Sequence, residues 1–438
     1  VSVHRISINR RQAIVRSASA LAGVGVIGCN RPTAAPTAAI DARNDVPLRI
    51  TWVGNQEDAD AIVRGWASVS EQAITVDVIP LDRNDLQPLS DLLPTLSKSN
   101  DVIAVPSMLV AELVANESIA PLTGDDIDSL CGELQPAVRS GLSRYGADTY
   151  GIPITTPLPA LMLGPSEKSG GETTTTWKQY DQNVRDRWNG KAAEPIADGW
   201  AAAMFLWRAS SAKGGWLFSR ETFAPLIDGD DYVAALSLMN ETVSRYEKPL
   251  RNASQVWTGL CDGSLLAGIG FPTESVQTDN EIKICDLPFG ESSGESTSKQ
   301  QLFDPLSTIV AISTNCRQTA ASKTFLAWIS GGEGSQSVRQ KISPTAAVRD
   351  TDSSVRTSEY SSWLETKLQS PVTLPAMQVI AAPQYYDALN TQVIRCLDGK
   401  SSAPEALGEV AQQWKVITES IGTDIQLRAW RRAYGMRA

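Results

Sequence analysis

Between residues 48 and 115 the hydrophobic period switches repeatedly between two and 3.6, and this alternation limits the possible folds more than any other feature of the chain. Residues 48–53 read as a strand closed by Gly54, after which Ala59, Ile62, Val63, Trp66 and Val69 share one helical face. Ile74, Val76 and Val78 alternate as a second strand that Pro80 stops. The spacing predicts a short helix over 89–96 with Pro94 inside it, a third strand at 101–105, and a helix over 107–115. Strand–helix–strand–helix order implies an α/β unit whose mostly parallel sheet is covered by helices on both faces. Ligands bind beyond the C-terminal strand ends of such sheets, which points to the loops starting at Gly54 and Pro106.

The pattern continues through strands at 150–154, 158–163, 282–288 and 307–313, and through 265–272, a helix end running into a buried strand. Helical stretches lie at 200–211, around Ala321, Phe325, Trp328 and Ile329, and from Leu407 through Val410, Trp414 and Ile417 to Ile421. With 438 residues the chain suits two domains or one large α/β unit. A formal charge of −10 argues against a nucleic-acid surface, which needs a concentrated basic face. Histidine occurs once, at His4. If that segment is removed, no Ser-His-Asp triad, Cys-His pair or His-ligated zinc site can form. No apolar run reaches the roughly 18–20 residues of a spanning helix.

Residues 1–28 read as an export signal: a basic stretch with Arg5, Arg10, Arg11 and Arg16, then a mildly apolar run ending at Cys29. Arg10-Arg11 resembles a twin-arginine signal, and Val26-Ile27-Gly28-Cys29 resembles a lipobox whose cysteine is lipidated. The GxGxxG string at 23–28 signals nucleotide binding only after a strand and at the start of a helix; here it lies inside the export signal, where small residues are expected, and is set aside. Residues 29–46, rich in Pro, Ala and Thr, read as a flexible tether. Cys131, Cys261, Cys285, Cys316 and Cys396 follow; their pairing is open, with Cys261–Cys285 the nearest pair.

Four stretches carry a resemblance: DVIAVPSMLVAELVANESIAPL (101–122), DTYGIPITTPLPALML (148–163), SLLAGIGFP followed by IKICDLPFG, and STIVAIST followed by TAASKTFLAWISGGEGSQSVRQ and a late SSAPEALGEVAQQW. In this order they resemble the solute-binding proteins of ABC importers, the maltodextrin-type carbohydrate binders in particular. Asp304-Pro305-Leu306 stands where relatives usually carry Gly-Gly. The resemblance implies a two-lobed α/β, periplasmic-binding-protein-like (type II) fold with a ligand cleft between the lobes. The expected boundaries are 47–155 plus 301–350 for lobe 1 and 156–300 plus 351–438 for lobe 2.

A sugar offers flat C–H faces and a rim of hydroxyls, so its binder needs aromatic faces and planar polar groups. Of the 12 tryptophans, Trp66, Trp328 and Trp414 lie on apolar helical faces and read as core. By the resemblance, Trp200, Phe271 and Tyr386 are candidate stacking residues. Asn55 and Gln56 after the first strand, Ser107 after the third, Thr155 and Thr156 at the lobe crossover, and Glu274 are candidate polar contacts. Asp125, Asp126 and Asp128 read as first-turn helix acids, and Asp228, Asp230 and Asp231 around Gly229 as a solvated turn.

The expectation is a lipid-anchored, monomeric extracytoplasmic binder, carbohydrate favoured, working with ABC permease subunits and without catalysis, cofactor, metal or nucleic acid. A binder of a polyamine or phosphorylated metabolite, a secreted carbohydrate-acting enzyme, and a binding fold turned to sensing or assembly are the alternatives.

Overall fold

A computed structural model describes residues 46–167, 176–213, 216–273, 282–290, 301–331, 334–342, 359–369, 373–374 and 377–436. The export signal, Cys29, Arg10, Arg11 and Glu274 lie outside the described residues. Two main sheets are built from β1 (Leu48–Gly54), β2 (Ile74–Pro80), β3 (Val102–Pro106), β4 (Ile152–Pro153), β5 (Ala160–Leu163), β6 (Ala192–Ala193), β7 (Ala267–Gly270), β8 (Lys283–Cys285) and β9 (Thr308–Ile312). Helices of eight or more residues are α1 (Gln56–Ala67), α2 (Gln87–Ser99), α3 (Asp125–Gly132), α4 (Trp177–Asp186), α5 (Ala201–Lys213), α6 (Asp230–Val243), α7 (Ala253–Cys261), α8 (Thr319–Ile329), α9 (Glu359–Leu368), α10 (Ala382–Leu397), α11 (Ala403–Ile421) and α12 (Thr423–Ala433).

The first sheet runs β2-β1-β3-β9-β4. β1 pairs in parallel with β2 and β3, while β9 is antiparallel to both β3 and β4, so only β9 is reversed. The second sheet runs β8-β5-β7-β6, and there β5 is the reversed strand. Both sheets are therefore mixed, with one strand in each running against the others, rather than mostly parallel as the alternation predicts. The reversed β9 has its own cause: the chain returns from the second sheet and enters the first from the opposite end.

Alternation along the strands sorts the core into faces. Leu48, Ile50 and Trp52 of β1, Val102 and Ala104 of β3, and Val310 and Ile312 of β9 point to one side, where they meet Ile62, Trp66, Phe325 and Trp328 of α1 and α8. Trp66 packs edge-on against Phe325 and Trp328 at 5.4 and 5.2 Å. On the other face Val53, Ile103, Val105, Ile309 and Ala311 join a core that continues through Leu161 and Ile269 of the second sheet. Trp66, Trp328 and Trp414 are all core residues, as their spacing predicts.

Some local expectations are corrected. The helix expected over 89–96 extends over Gln87–Ser99, because Pro88 suits its first turn. The segment 107–115 divides into a 3₁₀ turn, Ser107–Leu109, and a helix, Val110–Ala115. Asp230 and Asp231 lie in the first turn of α6, with Gly229 as its N-cap. Cys261 and Cys285 are not disulfide-bonded. Cys285 is in β8, and Cys261 ends α7, which packs on β7 with Val256 against Gly268. β8 and β7 flank β5 on opposite sides, which puts them about 10 Å apart by two strand spacings, beyond the reach of a disulfide.

Candidate functional site

The two sheets meet where the loop after β2 reaches the start of α5. Pro80 ends β2, and Asp82 Oδ1 then accepts the Asn84 N–H at 2.8 Å, a tight Asx turn that presents Arg83. The Arg83 guanidinium lies 3.5 Å above the ring of Trp200. Its Nη2 donates to Asp304 Oδ2, in a pair whose side chains are 14% and 4% exposed. The backbones also touch: a Cβ on Gly199 would lie 2.3 Å from the Arg83 carbonyl oxygen. Trp200 therefore presents its face to a cation from the other sheet's loop.

Trp200 is held from two sides. Its ring centroid is 5.8 Å from that of Phe271 at the end of β7 and 6.0 Å from that of Trp207 on α5. Behind it, α10 fixes the start of α5. Asn390 Oδ1 accepts the Ala202 N–H at 3.2 Å, and the Tyr386 hydroxyl donates to the Gly199 carbonyl at 3.3 Å. Tyr386 is fully buried, and burial pushes its hydroxyl well above the ordinary tyrosine range while the Arg83 charge pulls it back. The neighbouring Asp387 is pushed up to about 6, by burial first and then by Asp85 of the Arg83 loop.

Asp304 occupies a turn of its own. Its Oδ1 accepts the Leu306 N–H at 3.2 Å, and its carbonyl accepts the Ser307 N–H at 2.9 Å. That turn is stitched to the end of β3, where Ser107 and Met108 donate their N–H groups to Ser307 O and Pro305 O at 2.7 and 3.1 Å. The Ser107 hydroxyl donates to Pro305 O at 3.3 Å. Thr155 Oγ1 accepts the Thr308 N–H at 2.6 Å, joining two of the chain segments that cross between the sheets. Thr156 is fully buried beside it.

The structure thus brings Trp200, Phe271 and Tyr386 together, and places Ser107, Thr155 and Thr156 at the crossing segments. Asn55 and Gln56 lie elsewhere in role, at the exposed start of α1. Asn55 is its N-cap, with Oδ1 accepting the Asp58 N–H at 2.8 Å, and Gln56 donates to Asp60 at 2.9 Å. Sequence reasoning passed over Arg83, although it follows a C-terminal strand end, where ligand-facing loops begin. Asp304 carried a signal as the departure from Gly-Gly.

A groove of about 640 Å³ between α3 and α8 and a hollow of about 460 Å³ beside Trp177 and Phe289 include none of these residues. Among the described residues, no group of His, Cys, Asp and Glu is arranged to hold a metal ion, and no helix is long and apolar enough to cross a membrane.

No family model and no curated protein sequence matches the chain. Solved structures do. T. maritima MalE3 bound to maltose aligns at a TM-score of 0.66 and 14% identity, covering 85% of this chain and 99% of that one. The GacH receptor of Streptomyces glaucescens GLA.O, solved unliganded and with acarbose and an acarbose homolog, aligns at 0.61 and 14% identity with the same coverage. With its two mixed sheets, crossing segments at 154–158 and 302–308 among the described residues, and the contact of Arg83 with Trp200 between the sheets, the chain has the two-lobed α/β fold of type II periplasmic binding proteins.

Proposed function

We propose that the chain is the solute-binding component of an ABC importer, an exported monomer anchored through a lipid on Cys29, which captures a small solute in the cleft and hands it to the permease. Carbohydrate is the favoured ligand, and no catalytic step is involved. The observation that carries this reading is the part-buried Trp200 ring at the meeting of the two sheets, backed by the buried rings of Phe271 and Trp207. Such rings match the C–H faces of a sugar. The fold shared with structures described with maltose and with acarbose supports it.

In this reading lobe 1 comprises 47–155 plus 301–350 and lobe 2 comprises 156–300 plus 351–438. The strands of the first sheet fall within the former and those of the second within the latter, in keeping with that division. Asn55, Gln56, Ser107, Thr155, Thr156 and Glu274 are the candidate polar contacts, and Trp200, Phe271 and Tyr386 the candidate stacking residues. Ligand touching both lobes favours the closed form by population shift.

Thermal unfolding of a fragment starting at Asn30, against a panel of mono- and oligosaccharides, tests the proposal. A ligand at about a hundred times its Kd stabilises the native state by about 2.7 kcal/mol, a shift of a few degrees. A hit recovered intact upholds a carbohydrate binder. Stabilisation only by polyamines or phosphate esters keeps a binder and removes the carbohydrate. Consumption of the sugar makes the protein an enzyme.

A further inference from the structure

The last helix of the chain, α12, is seated in lobe 2 and gripped by lobe 1. On the lobe 2 side the seat is rigid. Trp430, 1% exposed, has its ring centroid 5.5 Å from that of Trp216 and 6.1 Å from that of Phe223. Gln426 is fully buried; its Oε1 accepts the Ile380 N–H at 3.1 Å and its Nε2 donates to the Ile380 carbonyl at 2.7 Å. Arg431 donates to the Arg220 carbonyl from Nε and Nη2, at 3.2 and 2.9 Å. These contacts oblige α12 to move with lobe 2.

On the lobe 1 side a short hairpin closes on the end of the helix. Arg144 and Tyr145 pair antiparallel with Thr149 and Asp148, and Gly146, with a φ of +71°, makes the turn. The Gly146 N–H donates to the Arg432 carbonyl at 2.9 Å, and the buried Tyr145 hydroxyl donates to the Ala429 carbonyl at 3.0 Å. The Arg432 guanidinium lies 4.9 Å from the Tyr145 ring, within cation–π range. The hairpin is itself fixed to lobe 1, since the Thr149 carbonyl accepts the Leu122 N–H at 2.7 Å. It ends just ahead of the crossing segment at 154–158.

Rotation of one lobe against the other therefore strains the two hydrogen bonds at the end of α12, and such bonds weaken steeply once their geometry is lost. Across the cleft, the Leu86 N–H of lobe 1 donates to the Asp387 carboxylate of lobe 2, and Arg83 lies over Trp200. Both sets of contacts belong to one arrangement of the lobes. We propose that the Tyr145–Gly146 hairpin and the end of α12 form a clasp that biases the lobes toward closure. The inference rests on the two-lobed binding reading, and on no particular solute.

Hydrogen exchange of the full chain without solute tests the clasp, with Tyr145→Phe, which removes the hydroxyl bond and keeps the ring. The Leu86 amide reports separation of the lobes, and the Ile103 amide in the centre of the first sheet reports global unfolding. In wild type Leu86 is expected to exchange faster than Ile103. Loss of one hydrogen bond that only the closed form makes shifts the balance about fivefold toward open lobes, so Leu86 is expected to exchange about fivefold faster in Tyr145→Phe. Unchanged Leu86 exchange overturns the inference, even where Ile103 shows a loss of global stability. Equal rates at Leu86 and Ile103 in wild type also overturn it, because the lobes then do not open separately. Should Tyr145→Phe not fold, Arg432→Ala, which takes the cation from the Tyr145 ring, replaces it with the same expected direction. If no sugar binds the chain, the carbohydrate reading falls and the exchange rates still judge the clasp.

Discussion

Arg208 and Glu194 form a two-contact ion pair in the protein interior, with side chains 2% and 0% exposed. Arg208 Nε donates to Glu194 Oε2 at 2.9 Å, and Nη2 donates to Oε1. The Tyr246 hydroxyl donates to Oε1 at 2.6 Å and in turn lies 3.1 Å from the Tyr180 hydroxyl, while the guanidinium sits 4.3 Å from the Trp177 ring. Arg208 is on α5, the helix that follows Trp200, so this pair anchors the element that positions the Trp200 ring.

Glu194→Ala is expected to destabilise the protein by about 3–5 kcal/mol, because it leaves a guanidinium buried without a partner. Glu194→Leu combined with Arg208→Met is expected to recover most of that loss. Urea unfolding of the three proteins measures both values. A double variant as unstable as the single one would show that charge pairing is not the cause.

Asp387 makes stability depend on pH. Its carboxyl is pushed from 3.8 up to about 6 by burial and by Asp85, against the pull of the Leu86 N–H. Between those values the native state holds a proton that the unfolded chain has lost, so stability falls as pH rises through this window and levels off above it. Asp387→Asn is expected to be no more stable than wild type near pH 4 and more stable above pH 6. Chemical unfolding at pH 4, 5, 6 and 7 checks the sign; a difference that does not change with pH refutes it.

Asn55 separates a capping role from a ligand role. Loss of the bond from Asp58 N–H to Asn55 Oδ1 in Asn55→Ala is expected to cost about 1 kcal/mol, and Asn55→Ser is expected to restore most of it. Thermal unfolding reads the cap. Sugar titration of the same variants reads any contact with ligand, since a serine that restores stability but not affinity assigns Asn55 both roles.

Gly199 controls the approach of the two lobes. Its φ of +79° is costly for other residues by about 1–2 kcal/mol, and a Cβ there would lie 2.3 Å from the Arg83 carbonyl oxygen. Gly199→Ala is therefore expected to hold the lobes apart. Small-angle scattering without ligand should give a larger radius of gyration than wild type, and acrylamide should quench tryptophan emission more strongly as Trp200 loses its cover. An unchanged radius and unchanged quenching would mean that the loop shifts instead.

Local pattern determined a great deal of this protein. The period-two runs around Ile50, Val76 and Ile103, and the helical faces carrying Trp66, Phe325 and Trp414, are all present, because alternation and 3.6-residue spacing report which side of each element faces the core. The acids of α3 sit in its first turn for an equally local reason. What pattern could not supply is who meets whom across hundreds of residues. Arg83 and Asp304 are 221 positions apart, and neither carries a signal of the other. Cys261 and Cys285 are close in sequence, yet the strand order β8-β5-β7 separates them. Tyr386 had the spacing of a stacking residue, and its ring is fully buried with its hydroxyl on the Gly199 carbonyl. Elements follow from nearest-neighbour chemistry along the chain, but the cleft is made where crossing segments bring distant loops together, and only the folded arrangement of the two sheets decides which charge covers Trp200.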